Sequence, residues 1–291
     1  MHTVTPATTA QDGALDRGAP QRWGSLEPAR QRHGQPPAVS QYQRAPFHAA
    51  LLRAREAAYA PGEYVGQESF MQAAEIRELA GRARVGPGVS VLDLCCGVGG
   101  PGRLLAADLR CRYLGLDCSA SALTIARELA DELPCRFAQA HLPPLPDDRF
   151  DVVLLLETML AFPDKATLLA EVAHVLVPGG RFAFTLEEGR PLEKSERDRM
   201  PDAGSVWLVE LSQLTGILGD VGLTVTWRRD CTASHAATAA TLLHSFRSDS
   251  VDIARQIGRQ PLGELLTAHH LWTEWLAGGR VRKFAMVAEK Q

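Results

Sequence analysis

The chain has 291 residues, 45% hydrophobic and 22% charged, with a formal net charge of -3. It is long enough to close its own core without disulfide or metal staples, because domains of roughly 100 to 200 residues already bury most of their apolar surface. No Lys/Arg cluster marks a polyanion-binding face, no apolar run reaches the roughly 18 residues of a membrane span, and the N-terminus has no apolar leader. Neither nucleic acid nor membrane is therefore an expected partner, and a cytoplasmic location is expected. The six cysteines, Cys95, Cys96, Cys111, Cys118, Cys135 and Cys231, lack CxxC pairing. Free thiols in a reducing compartment follow.

Residues 1–45 are rich in Gln, Pro, Gly, Thr and Arg and poor in large apolar side chains, so they are expected to be a disordered tail. Asp12, Asp16 and Glu27 argue against an Arg-rich organellar transit peptide. From Phe47 a helical pattern runs through HAALLRAREAAYA, breaks at Pro61-Gly62 and resumes in SFMQAAEIRELAGRARV. Residues 46–88 are read as two helices and an intervening loop, and residues 89–291 as the main domain.

Beyond Gly88, short apolar runs alternate with helical ones, the pattern of a largely parallel sheet covered on both faces: a doubly wound α/β fold. Seven strands are expected, at 90–95, 112–117, 136–140, 151–157, 181–187, 223–229 and 283–289. A helix at 165–177 is expected to stop at the PGG that follows it. The excess chain at 188–206 and 231–279 is long enough to cap the C-terminal edge of the sheet, where ligands of open α/β sheets bind.

The first strand runs into VLDLCCGVGGPGRLLA, with Gly97, Gly99 and Gly100 in a turn before a helix opened by Pro101. A glycine loop alone is weak evidence, because phosphate binders, dinucleotide enzymes and plain turns all use one. This loop lacks the Lys-Ser/Thr of a P-loop, and Arg103 stands where a dinucleotide fingerprint closes on a small residue. Asp117 ends the second strand in LGLD, some twenty residues after the loop, where a carboxylate can accept from both ribose hydroxyls; it could equally cap the next helix. PLPDDRFDVVLLLE and LAEVAHVLVPGGRF follow in order.

With these elements the sequence resembles the class I S-adenosylmethionine-dependent methyltransferases, over about residues 64–290. The resemblance implies a Rossmann-like sheet that is mostly parallel with an antiparallel last strand, S-adenosyl-L-methionine as cofactor, and a small-molecule methyl acceptor as partner. It leaves a homodimer open. It places Asp93, Cys95, Gly97 and Gly99 at the methionine moiety, Asp117 on the ribose, Cys118 against the adenine, and Gln139 and Ala140 beside it. Two positions depart from the family's pattern. Cys95 replaces the first glycine of DxGxGxG, where cysteine is small enough for the turn, and Gln139 replaces an acidic residue but can still accept through its amide oxygen.

A sulfonium methyl is already an activated electrophile, so the protein's task is to align the acceptor and exclude water, with a base only where the acceptor must lose a proton. Glu157, at the end of the fourth strand in LLLETML, is a candidate base and substrate contact; a structural carboxylate is the plainer reading. His141, in the loop after the third strand, is a second catalytic candidate. His235 and Trp207 in the presumed cap, and Phe70 in the lid, are candidate substrate contacts. Tyr64 and Gln67 in PGEYVGQESF are placed on a lid over the cofactor. His235 and His244 are nine residues apart, about 180° on a helix, so they offer no shared metal face and no metal is expected. The reading is methyl transfer to nitrogen or oxygen of a small metabolite in natural-product biosynthesis. Carbon methylation of an isoprenoid or other unsaturated acceptor is one alternative, and a cofactor-binding scaffold or cyclase the other.

Overall fold

The computed structural model describes residues 48–291, so the tail expected at residues 1–45 lies outside the described residues. Strands β1 (Ser90–Leu94), β2 (Arg112–Asp117), β3 (Cys135–Gln139), β4 (Phe150–Leu155) and β5 (Leu176–Glu188) pair in parallel. β7 (Arg282–Lys290) then pairs antiparallel with both β5 and β6 (Leu223–Asp230), giving the order β3-β2-β1-β4-β5-β7-β6. The sheet is thus mostly parallel, with its last strand reversed, as the resemblance implies.

Alternate side chains of each strand enter opposite cores, the period-two consequence of strand geometry. Leu92, Leu114, Val153, Phe182 and Phe184 pack with α5 (Lys165–Val175) and α7 (Leu211–Asp220). Val91, Tyr113, Val152, Ala183 and Val287 pack with α2 (Ala73–Arg82), α3 (Gly100–Leu109) and α4 (Ala120–Ala130). Burial on both faces explains why the strands read as near-continuous apolar runs.

Two strand limits differ from the sequence-based expectation. The fourth strand ends at Leu155, and Glu157 lies in the following turn at φ 60° rather than on the strand. The helix before the PGG ends at Val175, two residues sooner than expected, and the PGG at 178–180 lies inside β5, where Gly179 at φ 72° accompanies a register shift against Phe150 and Val152. A bulge absorbs the turn-forming residues without ending the strand.

The C-terminal edge is roofed by helices. α8 (Thr232–Ser248), α9 (Ser250–Ile257) and α10 (Arg259–Ala277) connect β6 to β7, and α1 (Ala49–Ala58) packs on them through Leu51, Ala54, Leu242, Phe246 and Leu265. The segment after β5, carrying α6 (Lys194–Arg199), joins the same roof through Leu192, Met200 and Val206 against Leu271 and Trp275. No helix among the described residues is long and apolar enough to cross a membrane.

Candidate active site

The turn from β1 into α3 is built on left-handed backbone. Gly97 has φ 55°, and a Cβ there would meet nothing within 4 Å, so its open side can receive a ligand. Gly100 serves a close approach instead: a Cβ would stand 2.3 Å from the carbonyl oxygen of Val65 in the lid. Gly99, placed at the methionine moiety by resemblance, turns its α-carbon toward Phe137, whose ring would lie 2.5 Å from a Cβ; packing demands that glycine. Cys95 adopts φ 59°, so the usual glycine at this position is a matter of backbone conformation more than of size. Burial pushes the Cys95 thiol pKa up, which keeps it a neutral hydrophobe.

At the tip of β2, Asp117 accepts from the backbone N–H of Gly97 on Oδ2 and of Ser119 on Oδ1, both at 2.8 Å. Each oxygen keeps a lone pair, which suits a vicinal diol. Gln139 donates from Nε2 to the carbonyl of Cys118 at 2.9 Å, tying the tips of β2 and β3, and its amide oxygen has no partner among the described residues. Ala140 donates its N–H to the carbonyl of Asp117. A glycine loop open on one side, a carboxylate with spare lone pairs and a free amide oxygen fit a nucleoside-bearing cofactor. Asp93 is buried on β1, and burial raises its carboxyl to about 7 against the opposing hydrogen bond from Tyr113 Oη at 2.5 Å.

Beside that loop, past the end of the neighbouring β4, a buried charged cluster centres on Glu157. Its backbone N–H donates to Thr185 Oγ1 at 2.5 Å, and its left-handed φ turns the side chain under the lid. The side chain is 6% exposed, and Oε2 accepts from the N–H of Phe70 at 3.2 Å and from Lys283 Nζ at 2.7 Å. Lys283 also donates to Glu187 Oε1 at 2.5 Å, and the Phe70 ring centroid lies 5.6 Å from its Nζ. Burial alone would raise the Glu157 carboxyl, but the Lys283 ammonium and His235 outweigh it and hold it below its usual range. The same carboxylates hold the Lys283 ammonium above its usual value despite burial.

His235, in the first turn of α8 and 1% exposed, stands between two carboxylates. Its Nε2 is 3.2 Å from Glu75 Oε2, and its Nδ1 is 3.7 Å from Glu157 Oε1. Both Nδ1 and Oε1 are buried without a hydrogen-bond partner. Glu75, Cys231 and His235 also bring three potential metal-ligand atoms within 4.8 Å of one another. Arg229, however, already supplies positive charge there, 3.0 Å from Glu75 Oε1 and 3.4 Å from Cys231 Sγ, so hydrogen-bonded ion pairs account for the trio.

The structure brings Glu157, Phe70 and His235 together and sends other candidates elsewhere. His141 lies in an exposed loop past β3, and no contact joins it to the Glu157 cluster among the described residues. Gln67 spends its amide inside the lid, accepting from Val65 N and donating to the carbonyls of Glu63 and Met71, so it shapes the loop instead of reaching a ligand. Tyr64 packs on Tyr59 and lines a cleft of about 430 Å³ with Leu52, Val65, Arg103 and Ile125, a lining that does not include Glu157. Trp207 is 38% exposed, its indole N–H donating to Gly204 O and its ring under Arg197, outside the enclosed site. Sequence reasoning missed Lys283, Glu187 and Glu75. The available signal was a lysine and a glutamate in otherwise apolar strand runs, which the sheet makes direct cross-strand partners.

Residues 91–180 match the model of the methyltransferase domain family. Methyltransferase GfsG of Streptomyces halstedii is 37% identical over 113 residues, 37% of this chain and 41% of that protein. The probable chloroplastic tocopherol O-methyltransferase of Oryza sativa subsp. japonica is 34% identical over 119 residues, 39% of this chain and 33% of that protein. The chain thus spans well under half the length of these relatives. Among solved structures, the cyclopropane synthase MmaA2 of Mycobacterium tuberculosis superposes with a TM-score of 0.73 at 16% identity, covering 89% of this chain and 100% of that one, a likeness of fold.

Proposed function

Because the chain belongs to the class I S-adenosylmethionine-dependent methyltransferases, we propose that it methylates an oxygen or nitrogen of a small organic molecule, in a natural-product pathway. Bound S-adenosylmethionine supplies a methyl group activated on a sulfonium. Gly97, Asp117 and the Gln139 amide oxygen would hold that cofactor, with the buried carboxyl of Asp93 toward its methionine end. The observation that carries the reading is the enclosed Glu157, turned by a left-handed φ beside the glycine loop and closed over by Phe70. Non-glycine residues held in this conformation cluster at functional sites. An enclosed cluster this small excludes water and suits a small acceptor over a macromolecular surface. The tocopherol O-methyltransferase relative supports oxygen as an acceptor atom.

A second reading is attack by an alkene carbon. The buried Glu157 carboxylate beside the glycine loop is a negative group that could stabilise a carbocation. The test is calorimetry with S-adenosylmethionine and S-adenosylhomocysteine, followed by S-adenosylhomocysteine release from a metabolite panel, with NMR of the product to locate the methyl group. Acceptor-dependent release with methyl on oxygen or nitrogen supports the first reading, and methyl on carbon the second. Conversion of a substrate without release supports a non-methylating scaffold or cyclase. Absence of cofactor binding refutes the interpretation of the glycine loop.

A further inference from the structure

Arg103, near the start of α3, carries a positive charge that the fold leaves without a counter-charge. Other guanidinium groups drawn into the protein each hold a carboxylate: Arg55 pairs with Glu68, Arg181 with Glu289, Arg229 with Glu75 and Arg280 with Glu196. Arg103 has no acidic partner among the described residues. Its Nε is buried without a hydrogen-bond partner, and Nη2 reaches only the carbonyl oxygen of Val65, at 3.5 Å. Burial lowers the guanidinium from its ordinary value, and the groups that oppose this, Cys135, Tyr113 and Tyr64, are themselves held neutral by burial. A fork of five N–H donors with one long contact is short of acceptors.

The same side chain lines the cleft of about 430 Å³ formed by α1, the lid, α3 and α4, a volume in the range of small-molecule sites. Its walls are otherwise mostly apolar, with Leu52 from α1, Val65 from the lid, Val98 from the glycine loop, and Ile125 and Leu129 from α4. Leu129 is left 48% exposed. Glu56, exposed on α1, also lines the cleft but forms no ion pair with Arg103. One cation among apolar walls fits a ligand with one anionic end and an apolar body, and Glu56 disfavours a second negative charge. We propose that this cleft is a second binding site, for a small organic monocarboxylate, and that its occupation favours closure of the lid over the cofactor. The carboxylate meets the terminal nitrogens of Arg103, and the apolar body covers Ile125 and Leu129. Such a ligand touches Val65 in the lid and Val98, the neighbour of Gly97, at once, and so holds the lid to the loop that receives the cofactor. Two sites joined in this way couple reciprocally. The coupling rests on the methyltransferase reading above, whereas the carboxylate site does not.

The experiment titrates the full chain, labelled with 15N-arginine, with octanoate and with 1-octanol, and follows the Arg103 Nε–H signal, assigned through Arg103→Gln. Octanoate is expected to move that signal saturably at concentrations about tenfold below those of 1-octanol, since a hydrogen bond between two charged groups contributes at least that factor. By calorimetry, Arg103→Gln should weaken octanoate about tenfold or more. Leu129→Glu, at an exposed position, should weaken it through like charge, and Glu56→Gln should tighten it; the thermal midpoint of each variant checks its fold. Octanoate should tighten S-adenosylhomocysteine about fivefold, and S-adenosylhomocysteine should tighten octanoate by the same factor. No saturable shift, equal affinity for the two probes, or wild-type octanoate affinity in Arg103→Gln overturns the site. Displacement of octanoate by S-adenosylhomocysteine overturns it too, because the probe then occupies the cofactor's own site. Octanoate binding through Arg103 that leaves S-adenosylhomocysteine affinity unchanged overturns the coupling. Octanoate binding without any binding of S-adenosylhomocysteine overturns the methyltransferase reading and leaves the carboxylate site standing.

Discussion

Replacing Lys283 by methionine keeps the length of the side chain and removes the only cation that touches both Glu157 and Glu187 among the described residues. The ammonium is 3% exposed and sits 2.7 Å from Glu157 and 2.5 Å from Glu187, whose side chains are 6% and 1% exposed. Without it, two buried carboxylates lose their direct ion-pair partner, a change that costs about 3–5 kcal/mol. The loss should depend on pH. In the wild type the Glu157 pKa lies below its usual value, so its contribution is complete at neutral pH and is lost as pH falls below the ordinary carboxylate range toward that lowered value. In Lys283→Met the ammonium that opposes burial is gone, so burial raises the Glu157 carboxyl. The native state then binds protons that the unfolded state does not, and the variant gains stability as pH falls from 7 toward 5. The gap between the two proteins should narrow over that range. Urea unfolding at pH 7.5 and 5.5, followed by tryptophan fluorescence, measures it. Glu157→Gln/Glu187→Gln/Lys283→Met, which leaves no buried charge in the trio, should recover at least half of the loss. A destabilisation below about 1 kcal/mol at pH 7.5, or one independent of pH, would refute the idea that this ion triad is electrostatically dry.

Asp117→Ala should weaken S-adenosylhomocysteine binding at least tenfold, about 1.4 kcal/mol, because the carboxylate both positions Gly97 and offers its remaining lone pairs to a ligand; an unchanged dissociation constant by calorimetry would contradict the ribose assignment. Cys95→Gly should raise stability by about 0.5–1 kcal/mol, the left-handed penalty at φ 59° less the extra freedom of glycine in the unfolded chain; a lowered thermal midpoint would contradict it. Burial raises the Asp93 carboxyl to about 7. The cofactor's α-ammonium should lower that pKa, so binding near pH 7 should release protons, read from calorimetric enthalpies in phosphate and Tris buffers; proton uptake would refute the sign.

The glycine loop, Asp117, and Glu157 past the fourth strand were legible because each belongs to a short stretch whose spacing alone places it at the sheet's C-terminal edge. Strand and helix types were legible for the same reason, since burial on both faces leaves continuous apolar runs. The helix end near the PGG was legible, but the strand's start before it was not, because turn residues mark a bend in the chain that a bulge inside a strand also satisfies. Gln67 and Trp207 were misplaced because residue type does not reveal whether a side chain's polar atoms are consumed locally, as both are. His235 could be nominated, but its role depends on partners 160 and 78 residues away in sequence, Glu75 and Glu157. Lys283 and Glu187, 96 residues apart, read as the polar ends of two strands until the antiparallel register sets them side by side.

That register explains how the cluster comes to exist. In a wholly parallel sheet every strand begins at the edge opposite the ligand site, so no residue from the start of a strand could meet Glu157. β6 ends at the ligand edge at Asp230, and α8 to α10 leave from and return to that edge, which forces β7 to run back antiparallel. The reversal delivers Lys283, the second residue of β7, to the tips of β4 and β5. The excursion itself becomes the roof, with His235 in its first turn. Cys231 N donates to Lys283 O at 2.8 Å, and Lys283 N donates to Thr232 Oγ1 at 3.0 Å, fastening the start of the roof to the start of the strand. A histidine facing Glu157 and a lysine beneath it are thus two consequences of one topological choice. A change that loosened this fastening, such as Thr232→Ala, should disturb both groups together.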